Sequence, residues 1–309
     1  MKLIAALLLT TSPLLAAEKP APIEVGIVNW QRDLDAAKHD AKKTGKPVLA
    51  FFQEVPGCAG CQKFGREVMS HPLIVEAIES NFNPVLIYNN RGGKDAELLK
   101  AFKEPAWNYQ VMRFLDSDGQ DIIPRKDQVW TTGALAARLV ETLETAKRPV
   151  PAYLSNLVLE TDTARHKVVA FAMFCYYTGE LKLGAIDGVI ATEAGWLEGR
   201  EVTLVKYHQD QLALETLVKK AAEVKCAQKV YVPDAEDLTV AKKQRLDTGI
   251  LNLKEYKTAR ASEQKVQLRG TPFDALGVTA MQRTKLNAFA RTNKAKASEW
   301  LSPRQRSGM

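Results

Sequence analysis

The stretch Pro47-Val48-Leu49-Ala50-Phe51-Phe52-Gln53-Glu54-Val55-Pro56-Gly57-Cys58-Ala59-Gly60-Cys61 decides how the first half of the chain is read. Its opening residues, Pro47 to Phe52, are apolar, β-branched or aromatic, and Gly45-Lys46 and Pro56-Gly57 bound them, as for a buried strand. Beyond Gly57, Phe64, Val68 and Met69 recur at helical spacing, which predicts a helix with Cys58 at its N-terminus. Unpaired N–H groups and the helix dipole at that place favour a thiolate over a thiol. Cys58 is therefore the expected attacking sulfur of a C-x-x-C pair, with Cys61 one turn on. The alternatives are a structural disulfide or half of a zinc site. A zinc site needs a second Cys or His pair at ligand spacing, which the sequence lacks, so neither metal nor cofactor is expected.

Upstream, residues 1–17 carry Lys2, an apolar run from Leu3 to Leu9, the break Thr10-Thr11-Ser12-Pro13, and Leu14-Leu15-Ala16-Ala17. This is the pattern of a cleaved secretory signal; a membrane anchor is the alternative, but the apolar core is short and interrupted at Pro13. The expected location is periplasmic or secreted, with no membrane-spanning segment left after cleavage. In such an oxidising compartment a C-x-x-C can cycle as a disulfide.

The 309 residues suggest two domains. The net charge of +7 is uneven, because residues 241–309 hold 15 Lys+Arg against 5 Asp+Glu. These charges are scattered along amphipathic segments and are not interleaved with aromatic platforms, so no nucleic-acid partner is expected.

Around the C-x-x-C the periodicities predict an extended lead-in over Ala21–Val28, a helix over Trp30–Lys43, and a helix restarting at Pro72. A strand over Pro84–Tyr88, a helix over Ala96–Phe102 and a strand over Val111–Leu115 follow. After the turn Asp116-Ser117-Asp118-Gly119, Asp121-Ile122-Ile123 is expected to return as a hairpin. A helix over Thr132–Ala146 closes the unit, and Arg148-Pro149-Val150-Pro151 is the expected linker.

The order β-α-β-α-β-β-α with C-x-x-C after the first strand resembles the thioredoxin fold. Trp30, Asp33-Leu34, Ala41-Lys42 and Gly45-Lys46-Pro47, followed by Val55-Pro56-Gly57-Cys58, resemble a thioredoxin-like (seleno)protein family. Its redox motif is Val-Pro-Gly, selenocysteine or cysteine, two residues, then threonine; here Cys61 stands at the threonine position. Counting back from Asp116, the slot that thioredoxins fill with a substrate-facing cis-proline is Gln110, preceded by Tyr109. The resemblance implies that Tyr109 and Gln110 bind substrate.

From Lys167 the pattern becomes strand, helix, strand, strand, helix, strand, the ferredoxin-like βαββαβ order. Cys175 again stands where a strand yields to a helix. Phe174-Cys175-Tyr176-Tyr177-Thr178-Gly179-Glu180, then Gly184-Ala185-Ile186-Asp187-Gly188-Val189, Ala194-Gly195-Trp196 and Glu201-Val202, resemble the core of peptide methionine sulfoxide reductase A. That resemblance implies Cys175 as nucleophile, Glu180 as the acid that protonates the leaving oxygen, and Tyr176 and Tyr177 as the aromatic wall around a substrate methyl group. Cys226 is the candidate thiol to resolve the sulfenic acid, or else forms a stable bridge. Beyond Asp234, helices are expected over Ala235–Leu246, around Leu253–Gln267 and over Thr279–Arg291, with Trp300-Leu301-Ser302-Pro303 packing on the second domain.

The expected architecture is thus α/β, with a signal (1–17), a thioredoxin-like domain (22–147), a linker (148–151), a methionine sulfoxide reductase A-like α+β domain (152–240) and a basic helical extension (241–309). The expected activity is thiol-disulfide exchange through Cys58 and Cys61, with electrons relayed to the Cys175 domain. A methionine sulfoxide reductase and a non-catalytic scaffold stapled by disulfides are the alternatives. The partners expected are a protein thiol, disulfide or methionine sulfoxide client and a redox partner protein.

Overall fold

Val48–Gln53 forms β1, buried along its whole length. In a computed structural model, which describes residues 21–106 and 110–309, β1 is the central strand of a three-stranded sheet of order β2-β1-β3. The expected signal at residues 1–17 and Tyr109 lie outside the described residues. β2 (Asn83–Tyr88) runs parallel to β1 and β3 (Gln110–Leu115) antiparallel. The parallel pair needs a crossover, which α2 (Ala59–Glu67) and α3 (Pro72–Asn81) supply after α1 (Leu34–Thr44).

Strand alternation divides two apolar layers over this sheet. Val48, Ala50 and Phe52 pack with Leu34, Ala37 and Ala41 of α1 and with Leu99 of α4 (Lys94–Phe102). Leu49 and Phe51 face Phe64, Ile74 and Ile78 of α2 and α3, and Leu135 and Leu139 of α5 (Thr132–Thr145).

Several expectations change here. Ala21–Val28 is not simply extended, because Ile23–Val25 makes a 3-10 turn. The first helix begins at Leu34 and not at Trp30: the Asp33 carboxylate accepts the N–H groups of Asp35 and Ala36 as its cap, while Gln31 bridges to Val85. The hairpin return shrinks to a single bridge, Leu115 to Asp121, since the Asp116 carboxylate takes the N–H groups of Asp118 and Gln120 and curls the chain. After Arg148–Pro151 the chain stays with the first core: α6 (Ala152–Thr161) buries Tyr153, Leu154 and Leu157 beside Leu135 and Leu139.

The second sheet has six strands in the order β8-β7-β4-β6-β5-β9. Its centre is the expected ferredoxin-like arrangement: β4 (His166–Ala172), α7 (Tyr176–Gly184), β5 (Val189–Leu197), β6 (Arg200–His208), α8 (Leu214–Glu223) and β7 (Lys229–Val232). β4 lies antiparallel between β6 and β7. Glu198 and Gly199, both at positive φ, turn β5 into β6. Val169, Phe171, Val205 and Tyr207 pack under Leu183, Leu217 and Val218 of the two helices.

The tail departs from the helical extension expected. After α9 (Ala235–Lys242), β8 (Asp247–Ile250) pairs parallel with β7, and β9 (Lys257–Thr258) pairs antiparallel with β5, so the tail covers both edges of the sheet. The stretch around Leu253–Gln267 is β9 and short 3-10 turns in place of a helix. α10 (Ala280–Phe289) is capped by Thr279 as expected, and α11 (Lys294–Glu299) follows. Leu301 packs with Leu268, Phe273 and Leu286 of the tail. α12 (Pro303–Ser307) then reaches the first domain, where the Arg304 N–H donates to Glu76 Oε1 at 2.9 Å and the guanidinium pairs with Glu79.

Candidate active site

β1 delivers the chain through Val55-Pro56-Gly57 to Cys58, which is the N-cap of α2. The turn is held from several sides. Glu24 Oε1 accepts the Gly57 N–H at 2.9 Å, the Gln53 side chain donates to the Glu24 carbonyl at 2.9 Å, and Asn90 Oδ1 accepts the Val55 N–H at 3.3 Å. Gly57 has no room for a side chain, since a Cβ there would lie 2.6 Å from the Glu54 carbonyl oxygen and 2.7 Å from Cys61 Cβ. Gly65 is equally constrained, because a Cβ would lie 1.8 Å from the Ile23 carbonyl oxygen of the N-terminal turn that braces α2.

The two sulfurs are 3.5 Å apart and differently placed, with Cys58 exposed and Cys61 buried. The Cys61 backbone N–H, then its thiol, then the Gly60 N–H hold the Cys58 thiol below its ordinary pKa, against some desolvation and the charge of Glu54. Cys61 is pushed up to about 12, first by burial, then by its hydrogen bond to Cys58 and the Cys58 charge. One thiol is thus set to ionise and its neighbour to stay protonated. This is the division of labour that an attacking and a resolving sulfur require.

A cavity of about 480 Å³ opens beside Cys58, lined by Lys63, Phe64, Val68, Gln110 and Trp130 among others. Gln110, the residue in the cis-proline slot, opens β3 opposite Gln53 and lines this cavity. Trp130 is 48% exposed at its rim. Glu24, Asn90 and Trp130 were not legible as site residues. Their only signals are a lone acid between Ile23 and Val25, and a Trp just ahead of a helix.

The second candidate site is built differently. Cys175 is the half-buried N-cap of α7, but the Tyr176 N–H there donates to the Glu201 carboxylate at 2.9 Å, so an acid already occupies part of that helix terminus. Phe174 beside it is 90% exposed. Tyr176 is buried with Ala194 and Ala259, and its ring lies 4.8 Å from that of Tyr177 and 5.8 Å from that of Trp196. It is therefore a core residue more than a pocket wall. Glu180 is fully buried and bound to Lys265, whose N–H donates to Oε2 at 2.7 Å and whose ammonium pairs with Oε1 and donates to the Thr192 carbonyl. Both carboxylate oxygens of Glu180 are thus engaged by Lys265, where the acid role expected of it needs one of them turned to a substrate. Cys226 is buried beneath the first turn of α7, its sulfur 3.6 Å from the Val224 carbonyl oxygen and 4.0 Å from that of Thr178. Burial foremost raises its pKa, and the charge of Cys175 adds to this while Lys182 opposes it. Cys175 and Cys226 are unbonded. Among the described residues no group of three or more His, Cys, Asp or Glu is arranged to hold a metal.

Comparison with known proteins gives a family match and several solved structures. A DsbH oxidoreductase is 19% identical, with 44% of this chain and 95% of that one covered, at a TM-score of 0.32. Methionine sulfoxide reductase A of Corynebacterium diphtheriae is 18% identical, with 43% and 89% covered, at a TM-score of 0.31. Mxr1 from Saccharomyces cerevisiae in an unusual oxidized form is 17% identical, with 38% and 91% covered, at a TM-score of 0.28. No curated protein matches the chain. The family model described as thioredoxin-like matches residues 29–115, the span that holds β1, the C-x-x-C, α2, α3, β2 and β3. With that sheet order and that match, residues 29–115 form a thioredoxin-like domain.

Proposed function

We propose that the protein is an exported thiol-disulfide oxidoreductase working through Cys58 and Cys61. The observation that carries this reading is the pair itself: sulfurs 3.5 Å apart, one exposed with a lowered pKa, the other buried and pushed up to about 12. The Cys58 thiolate attacks one sulfur of a client disulfide, whose other sulfur leaves as a thiolate, and a mixed disulfide results. Cys61 then loses its proton and attacks Cys58 Sγ, which frees the client dithiol and leaves Cys58 and Cys61 joined. Two of the causes that raise Cys61 are its hydrogen bond to Cys58 and the Cys58 charge. Both end when Cys58 is bonded to the client, so the resolving thiol becomes more acidic at the step that needs it. In reverse, the same exchange oxidises a client.

Export rests on the secretory pattern of residues 1–17, and a periplasmic or secreted location supplies the oxidising surroundings in which the pair would cycle. The test is trapping. In the mature chain carrying Cys61→Ser, a disulfide peptide should leave a mixed disulfide on Cys58, read by mass spectrometry; no adduct in a glutathione buffer overturns the proposal.

A relay from Cys58 to Cys175 rests on the place of Cys175, half-buried at the N-cap of α7. The methionine sulfoxide reductase reading is less well supported, because Lys265 occupies Glu180. A scaffold stapled by disulfides predicts a reduction potential below that of redox-active pairs, and the potential of the Cys58–Cys61 couple separates it from the oxidoreductase.

A further inference from the structure

The cavity beside Cys58 has features that thiol exchange as such does not need. Phe64 and Val68 of α2, both almost fully buried, and Trp130 at the rim give it an apolar lining. Among the described residues only Lys63 and Glu67 bring charge to it, and these lie one helical turn apart and pair at 3.9 Å. The cavity therefore offers an occupant no net charge. Its volume of about 480 Å³ exceeds what a reactive sulfur requires and lies within the roughly 300–1,000 Å³ of binding sites.

Gln110 adds a group of another kind. It opens β3 opposite Gln53 and is 8% exposed, and its side-chain amide makes no hydrogen bond to any described residue. Such an amide carries both donors and an acceptor, and a buried polar group is ordinarily satisfied. Left unpaired in an apolar lining, it marks where a donor and an acceptor of a ligand would fit. Cys58 is itself part of the lining, so whatever bonds to its sulfur places its neighbouring atoms in the cavity.

We infer, on the thiol-disulfide reading above, that the client is a peptide segment with a large apolar side chain beside its cysteine. Phe64, Val68 and Trp130 cover that side chain, and the Gln110 amide pairs with a peptide group of the client. The bonds made and broken are those already described: Cys58 Sγ joins one client sulfur and the other leaves as a thiolate. A small disulfide carrying several charges would set them against an uncharged, apolar lining. A disulfide without a side chain would leave that lining bare.

The probes are symmetrical disulfides of two short, capped, uncharged peptides, one with phenylalanine on both sides of the cysteine and one with serine there. The rate of mixed-disulfide formation on Cys58 is read by mass spectrometry in the mature Cys61→Ser chain, below saturation, where docking energy counts in full. The phenylalanine peptide should react roughly tenfold or more faster. Trp130→Ala should shrink that ratio several-fold, and Gln110→Leu should slow both peptides by a similar factor and keep the ratio. Adducts formed at equal rates from the two peptides, or a ratio undiminished in Trp130→Ala, overturn the inference and leave the thiol-disulfide reading standing. Unchanged rates in Gln110→Leu overturn the part given to the amide. No adduct from either peptide overturns the thiol-disulfide reading, and the inference with it.

Discussion

Replacing Lys285 by Met should raise the stability of the tail at neutral pH and remove a pH dependence from it. Lys285 is fully buried on α10, donates to the Ile186 carbonyl at 2.6 Å, and has its ammonium 5.1 Å from the centre of the Trp300 ring. Burial, with a smaller contribution from Lys296 and against the charge of Asp187, lowers its pKa from 10.5 to about 7. Between those two values the unfolded chain holds a proton that the folded chain has shed. Stability therefore rises with pH through the window, and the cost of the buried charge is complete below about 7 and gone above about 10.5. At 1.36 kcal/mol per pH unit that cost is roughly 5 kcal/mol. Met keeps most of the side-chain volume, and the Ile186 carbonyl retains the Val189 N–H at 3.1 Å. Allowing for the lost hydrogen bond, Lys285→Met should be more stable than wild type by roughly 2–4 kcal/mol near pH 6.5. The difference should shrink as the pH climbs. Urea unfolding followed by far-UV circular dichroism at several pH values measures it, and subtracting the variant from the wild type removes every other titrating group. Equal pH slopes in the two proteins, or a variant less stable near neutrality, would refute the reasoning.

The Cys58 thiol should react with iodoacetamide with a midpoint below that of an ordinary exposed thiol, and Cys61→Ala should move that midpoint upward by removing the side-chain hydrogen bond. An unmoved midpoint would mean that Cys61 does not tune its neighbour. Lys265→Met strands a buried carboxylate and should cost roughly 3–5 kcal/mol in unfolding free energy, with Glu180→Leu in the same chain restoring much of it; a full loss in the double variant would show that the pair is not the cause. Gly57→Ala should cost about 1–3 kcal/mol and slow exchange, because its Cβ meets Cys61 and the Glu54 carbonyl; wild-type melting and rates would mean the turn yields freely.

The features legible in the sequence are those with local causes. The apolar run of β1, the Pro56-Gly57 break and the helical spacing behind Cys58 all lie between Pro47 and Met69, and the strand and the N-cap follow from them. The ferredoxin-like order was legible for the same reason, since each strand and helix carries its own period. What escaped depends on distant partners. Lys265 reaches Glu180 across 85 residues, and nothing near Glu180 signals that its carboxylate is spoken for. β8 and β9 are short strands that exist because β7 and β5 offer open edges, so composition alone suggested helix. Glu24 touches the redox turn only because the N-terminal turn lies against Gly65.

The contact of α12 with α3 changes the mechanics of the whole chain. The polypeptide leaves the first core once, at the end of α6, and Arg304 brings it back to Glu76 and Glu79. With the Met281 N–H also donating to Glu160 Oε1 of α6 at 3.1 Å, these attachments make a closed linkage where a single one would make a swivel, and the rotations left to the two sheets are those that they permit together. One of them is ionic and rests on α12, so salt or removal of α12 should loosen it. The orientation of the two cysteine sites would then be set, in part, by a clasp at the far end of the sequence from both.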